Sequence, residues 1–139
     1  MEPFSIIGGI VTIITLLSTA KDALKWCCSI CKAPEHVREL QGHLFRFETI
    51  ITSFQNVVEN PRVRAHISKK GTDFLIQRAR ETLSKLNKSL SELKEGDSTD
   101  ISRLRAAFTL PKYRHYQEKL NQYCEGFDQL LAVAVEIET

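Results

Sequence analysis

The residue types that most often carry catalysis or bind metals are sparse in this chain. Three of its four cysteines, Cys27, Cys28 and Cys31, lie within five residues of one another, whereas Cys124 lies far away. A zinc site needs further ligands at helical or knuckle spacing, and the four histidines are scattered instead. The sequence therefore predicts no metal site and no cofactor. The clustered thiols lack the dispersed spacing of a disulfide framework and favour a reducing, cytoplasmic location.

Catalytic signatures are also missing from the sequence. Gly8 and Gly9 stand together and Gly71 stands by itself, so no glycine-rich loop is available to hold phosphate groups. No serine lies in a nucleophile-elbow sequence, and cysteine with dispersed histidines is weak support for a thiol enzyme. We therefore expect no enzymatic activity and no catalytic residues.

The N-terminal segment has the most distinctive pattern in the chain. Residues 3–20 carry no charge, and eighteen residues at about 1.5 Å each come close to spanning a bilayer core of about 30 Å. A helix that is apolar nearly all round also suits the centre of a soluble bundle, so both interpretations stay open. A secretory signal is a third interpretation, but signals begin with positive charge and the only early charge here is Glu2.

One side of this segment is small and partly polar. Its members follow spacings of three and four: Ser5, Gly8, Thr12, Thr15 and Thr19, with Asp22 extending the row and Gly9 and Ser18 widening it. Such a face permits close helix approach in a membrane, lines a wet lumen, or permits tight packing inside a soluble bundle. Just beyond it, Trp26 and the clustered cysteines fit either a membrane boundary or a packed core.

The basic residues are unevenly distributed along the chain. Residues 60–94 contain nine Lys/Arg and three Asp/Glu, whereas residues 95–139 contain five and eight. A basic stretch is attracted to anionic lipid by about 1 kcal/mol per residue near the surface. An ordinary solvated face is the alternative. Nucleic acid is not expected as a partner, because no reading motif is present and the total charge is low.

The remaining sequence predicts long amphipathic helices. Apolar residues recur at spacings of three and four in three segments, as in coiled-coil seams, and no alternating strand pattern appears. The seams are Val37, Leu40, Leu44, Phe47, Ile51, Phe54 and Val58; Ile76, Ala79, Leu83, Leu86, Leu90 and Leu93; and Tyr113, Tyr116, Leu120, Tyr123, Phe127, Leu130, Ala134 and Ile137. Asn60-Pro61 ends the first of these helices and Gly96 ends the second.

A shorter amphipathic piece precedes the last seam. Residues 97–100 supply N-cap chemistry, and Ile101, Leu104, Ala107 and Phe108 then give about two helical turns before Pro111. The sequence therefore predicts an all-α fold: an antiparallel four-helix bundle with a short brace helix before the last long helix. We expect one domain over residues 1–139. Because no helix stop follows Ile137, we expect it to be the N-terminal domain of a longer protein.

The chain opens with MEPFSIIGGIVTIITLLSTAKDAL, which resembles the start of HeLo and HeLo-like domains. These domains form the N-terminus of fungal nucleotide-binding receptors of the NLR (STAND) type and of related cell-death proteins. Residues 101–108 and 113–134 resemble the brace and last helix of that family. The layout is also similar to the four-helix bundle of mixed lineage kinase domain-like protein and to plant RPW-type domains. Many fungal relatives have a Trp in the brace, where this chain has Ala107-Phe108.

The resemblance implies an execution domain of programmed cell death. Such domains stay inactive in the cytoplasm until a partner or an attached sensor clusters them. They then self-associate, move to the plasma membrane, bind anionic lipid and permeabilise the membrane. A non-lytic helical adaptor that recruits another signalling protein is the alternative function.

Two sets of residues in this sequence suit that scheme, the apolar N-terminal helix and the basic stretch. The membrane-inserting set is Phe4, Ile6, Ile7, Gly8, Gly9, Ile10, Val11, Ile13, Ile14, Leu16 and Leu17. The lipid-binding set is Arg62, Arg64, Lys69, Lys70, Arg78, Arg80, Lys85 and Lys88. No residue is assigned to catalysis, to a cofactor or to a metal.

Overall fold

The helical prediction is confirmed by a computed structural model, which describes residues 3–30, 35–95 and 106–138. Its helices are α1 (Pro3–Ile30), α2 (Glu35–Val57), α3 (Pro61–Ile67), α4 (Thr72–Glu95) and α5 (Pro111–Glu138). No strand occurs in these three ranges, and the four long helices pack against one another as an all-α bundle. The seams drive this packing, because nearly all of their side chains are buried.

Consecutive long helices reverse direction along the chain, as predicted. Lys21 of α1 contacts Glu48 of α2, and Lys25 shares a cleft with Gln41, so these two helices are antiparallel. Helices α4 and α5 are antiparallel as well. Two hydrogen bonds between their side chains run in opposite order along the two helices: Thr82 with Tyr123 and Ser89 with Tyr116.

The other two neighbouring pairs are parallel. Helix α1 lies beside α4, where Ile76 faces Gly9 and Asn87 faces Leu16, so the contacts advance together along both helices. Helix α2 lies beside α5 in the same way, with ring contacts of Phe47 with Tyr123 and Phe127, and of Phe54 with Phe127. The two antiparallel pairs therefore lie side by side, and α2 is diagonal to α4.

Helix α3 makes this diagonal connection, and the sequence analysis did not predict it. Asn60 caps the helix, because its side chain accepts a hydrogen bond of 2.9 Å from the backbone N–H of Arg62. Pro61 occupies the first turn, where its missing N–H costs nothing. The buried face of α3 carries Val63 and Ile67 and packs against α5 and α1. The same Asn-Pro pair that ends α2 therefore starts a new helix.

The predicted brace over residues 101–108 lies mostly outside the described residues. Its last residues are described: Ala106 and Ala107 are helical, and Phe108 is buried. The Phe108 ring packs on Tyr113 with a centroid separation of 4.9 Å. This contact joins the end of the predicted brace to the first turn of α5.

Candidate functional site

The predicted membrane-inserting residues of α1 divide into an inner and an outer group. The fully buried apolar members are Ile6, Ile10, Ile13 and Leu17. Ile7, Ile14 and Leu16 are half-buried, and Val11 is 48% exposed. The side chain of Phe4 lies outside the described residues. In the bundle, these four apolar side chains of α1 therefore pack against other helices, and lipid can contact them only after α1 moves.

The small face of α1 points outward. Gly8, Thr15 and Thr19 are exposed, and a Cβ at Gly8 would meet no atom within 4 Å. The interpretation of this face as a tight packing surface of the soluble bundle is therefore wrong for these positions. The hydroxyls of Thr12, Thr15 and Thr19 each donate to the carbonyl four residues earlier, at 2.9 to 3.1 Å. With their hydroxyls engaged in the helix, these side chains offer mainly methyl groups to the surroundings.

The close approach of α1 to its neighbour occurs at Gly9, at the margin of this face, where the tight-packing interpretation holds. A Cβ on Gly9 would lie 2.5 Å from the Cγ2 of Ile76 in α4. Ile76 is β-branched and has little freedom to turn away. Glycine at position 9 therefore sets how tightly α1 and α4 pack, whereas glycine at position 8 does not.

Two polar contacts also tie α1 to the bundle. The ammonium of Lys21 donates to both carboxylate oxygens of Glu48 at 2.9 Å, and both side chains remain partly exposed to water. The amide nitrogen of Asn87 donates to the backbone carbonyl of Leu16 at 3.0 Å. A partly exposed ion pair contributes only about 0–1 kcal/mol, so apolar packing supplies most of the attachment of α1.

The segment Ile6–Ser29 is long and apolar enough to cross a bilayer, and about a third of it is buried in the bundle. Core helices of soluble proteins and secretory signals pass the same test of length and composition.

The cysteines near the end of α1 pack in the protein. Cys27 is fully buried, and Cys28 and Trp26 are partly buried against the core, which agrees with the interpretation of a packed core. Cys31 lies outside the described residues. Burial raises the pKa of the Cys124 thiol, which disfavours its reactive thiolate form. Among the described residues, no group of His, Cys, Asp and Glu is arranged to hold a metal ion.

The predicted lipid-binding residues lie on α3, on α4 and on the turn between them. Arg62, Lys69, Lys70, Arg78, Arg80, Lys85 and Lys88 are exposed. Arg64 differs, because it is half-buried and its guanidinium donates to the carbonyl of Val58 at 2.9 Å. Arg64 therefore supports the end of α2, and the other seven side chains are available at the surface.

Two of these side chains meet basic residues that the sequence analysis missed. Arg78 and Lys85 line a cleft between α4 and α5, and Lys112, His115 and Lys119 line its other wall. We call this the α4–α5 cleft. The signal in the sequence was the spacing of three and four between the α5 residues, which places them on one helix face.

No family model, curated protein or solved structure matches this chain. The resemblance to HeLo-like domains therefore remains a prediction from the sequence. The chemistry of α1 and of the basic surface carries the functional proposal that follows.

Proposed function

We propose that this domain executes programmed cell death by permeabilising membranes. On clustering by an upstream receptor or an attached sensor, α1 leaves the bundle, the domain binds anionic lipid at the plasma membrane, and α1 inserts. The observation that carries the proposal is the character of α1: its segment Ile6–Ser29 is long and apolar enough to span a bilayer, about a third of that segment is buried, and residues 3–20 carry no charge.

The free energies of burial in the bundle and of insertion into lipid indicate that α1 leaves the bundle only when a trigger favours this change. Ile10, Ile13 and Leu17 are already out of water in the bundle, so moving them into lipid gains little over the resting state. Once α1 is exposed, each Leu, Ile or Val near the bilayer centre favours insertion by roughly 0.3–0.6 kcal/mol. A trigger must therefore favour the open state, and clustering at a membrane does so by adding contacts that only that state makes.

The exposed basic residues supply the attraction to lipid. Lys69, Lys70 and Arg80 carry their charge into water from α4 and from the turn before it. At about 1 kcal/mol per residue near an anionic surface, a few such side chains hold the domain against a membrane before α1 moves.

A disulfide between α1 and α4 tests the proposal directly. A Cβ at Gly9 would lie 3.8 Å from the Cβ of Ile76, and disulfides have a mean Cβ–Cβ distance of about 3.8 Å. The double variant Gly9→Cys, Ile76→Cys should therefore form a bond that keeps α1 on the bundle. We expect the oxidised variant to bind vesicles containing phosphatidylserine without releasing an entrapped dye, and we expect reductant to restore release.

The reduced form of the same variant is the matched control, because it carries the same loss of core volume without the bond. Mass spectrometry should locate the disulfide between the two introduced residues rather than at Cys27 or Cys124. Equal dye release by the oxidised and reduced forms would show that α1 does not need to leave α4. If neither form releases the dye, and the unmodified domain also releases none after clustering, the result would favour the adaptor function.

A further inference from the structure

Asn87 places an amide in the contact between α1 and α4. It lies on the same side of α4 as Ile76, since the eleven positions between them make about three helical turns. Its amide nitrogen donates to the backbone carbonyl of Leu16 at 3.0 Å, at the middle of α1. The seam beside it on α4 consists of fully buried apolar side chains: Leu83, Leu86 and Leu90. Asn87 therefore adds a polar group at the edge of an apolar contact.

The oxygen of this amide is unpaired in the described part of the chain. The Oδ1 atom of Asn87 is buried there and accepts no hydrogen bond. A buried acceptor that no donor reaches keeps the full cost of losing its water. When α1 is seated on α4, Asn87 therefore gains one hydrogen bond through its nitrogen and loses the hydration of its oxygen.

The carbonyl of Leu16 does not depend on Asn87 for a partner. In an α-helix, each carbonyl accepts from the N–H four residues later, and both Leu16 and Ala20 lie inside α1. A carbonyl oxygen has two lone pairs, so the Asn87 amide is an additional donor. When α1 leaves, this carbonyl keeps its helical hydrogen bond and can enter hydrocarbon satisfied. Both polar atoms of Asn87 then become accessible to water.

We infer that Asn87 keeps the contact between α1 and α4 only weakly favourable, and that it thereby sets the threshold at which α1 leaves the bundle. The inference deepens the proposed function and rests on it, because it concerns the regulation of the inserting helix. Release of α1 removes a buried unpaired oxygen and leaves no new one at this contact. One such atom is enough to shift an equilibrium by about tenfold. Clustering then needs to supply less differential binding to favour the open state.

A purely stabilising role for Asn87 predicts the opposite behaviour. If the hydrogen bond to Leu16 outweighed the unpaired oxygen, loss of the amide would loosen α1. If the unpaired oxygen outweighs the bond, an apolar side chain of the same shape should hold α1 more firmly. Leucine has that shape, because it branches at Cγ as asparagine does and carries two methyl groups in place of the oxygen and nitrogen.

Hydrogen exchange of the domain in solution distinguishes these two roles. The test variant is Asn87→Leu, and the control is Gln77→Leu, which replaces an exposed amide on the same helix. Backbone amides that exchange through local opening report the free energy of that opening. We expect exchange of residues 6–20 to slow by about tenfold or more in Asn87→Leu and by less than about twofold in Gln77→Leu.

A second variant should act in the opposite direction. Asn87→Asp keeps the size of the side chain but replaces the donor nitrogen with a second oxygen, which then faces the carbonyl of Leu16. We expect residues 6–20 to exchange faster in this variant, with a smaller change over residues 113–134 of α5. Faster exchange of α1 in Asn87→Leu, or a slowing that α5 shares equally, would overturn the inference.

Dye release from phosphatidylserine vesicles connects the exchange rates to the threshold. We expect Asn87→Leu to need more clustered protein than the unmodified domain for half-maximal release, and Asn87→Asp to need less. An unchanged requirement in Asn87→Leu, despite slower exchange of α1, would overturn the regulatory role. Failure of the proposed function is a separate result: the unmodified domain would then release no dye, whereas the exchange measurement uses no membrane.

Discussion

Two tyrosines one turn apart on α5 contrast a satisfied buried hydroxyl with an unsatisfied one. The hydroxyl of Tyr116 shares a hydrogen bond with Ser89, whereas that of Tyr113 is buried with no hydrogen-bond partner among the described residues. Burial, with Tyr116, Cys27 and Glu92 nearby, raises the pKa of the Tyr113 phenol. A buried hydroxyl without a partner costs about 1–3 kcal/mol. Tyr113 therefore contributes packing at the expense of an unpaired polar group.

The two tyrosines should respond in opposite ways to loss of the hydroxyl. Tyr113→Phe should raise the free energy of unfolding by about 1 kcal/mol, because it removes the unpaired group and keeps the ring contacts with Phe108 and Tyr116. Tyr116→Phe should lower it by about 1 kcal/mol, because the buried hydroxyl of Ser89 then loses its partner. Urea denaturation measures both values, and a loss of stability in Tyr113→Phe would show that its hydroxyl has a partner.

At the scale of the element, the two adjacent glycines of α1 have different roles. Gly8 faces open space, so Gly8→Ala should gain about 1 kcal/mol from helix propensity alone and raise the melting temperature by about 4 °C. Gly9→Ala gains the same propensity but places a methyl group against Ile76, and overpacking costs about 1–3 kcal/mol. We expect a lower melting temperature for Gly9→Ala. An increase in both variants would mean that α1 is not seated against α4.

The sequence predicted the four long helices and the buried faces of α2, α4 and α5, because the spacing of three and four is a local property of one segment. It did not predict which helices pack against one another. A seam such as Leu83-Leu86-Leu90 indicates which side of α4 is buried, but it does not indicate whether α1 or α2 packs against that side. The sequence also did not distinguish Gly8 from Gly9, because the packing glycine is identified only by the partner helix. Asn60-Pro61 was interpreted as a stop, although an N-cap residue followed by proline also indicates a start.

At the scale of the whole molecule, the charge distribution predicts how the domain meets a membrane. Reversal of Lys69, Lys70 and Arg80 to Glu should abolish binding to phosphatidylserine vesicles, because these exposed charges lie outside the α4–α5 cleft and face water. Vesicle co-sedimentation measures the effect. Binding of the unmodified domain should also weaken as salt rises, since charges are screened beyond about 10 Å at 0.1 M.

A variant with the same change of charge elsewhere is the control for this prediction. Lys25, Arg38 and Arg114 are exposed on three other helices, and their reversal to Glu should leave most of the binding intact. Equal losses in the two variants would mean that net charge, rather than a basic surface, controls binding. Circular dichroism should be unchanged in both.

The side-by-side arrangement of two antiparallel pairs has a consequence for the order in which the molecule assembles and opens. Within the pair α4 and α5, Ser89 and Tyr116 are 27 residues apart, and Lys21 and Glu48 in the pair α1 and α2 are also 27 apart. Between the pairs, Asn87 and Leu16 are 71 residues apart. Contacts that close longer loops cost more chain entropy and form later in folding. We therefore expect each hairpin to form early in folding and the boundary between the two hairpins to form later. This boundary includes the contacts with α4 that α1 must leave before it can insert.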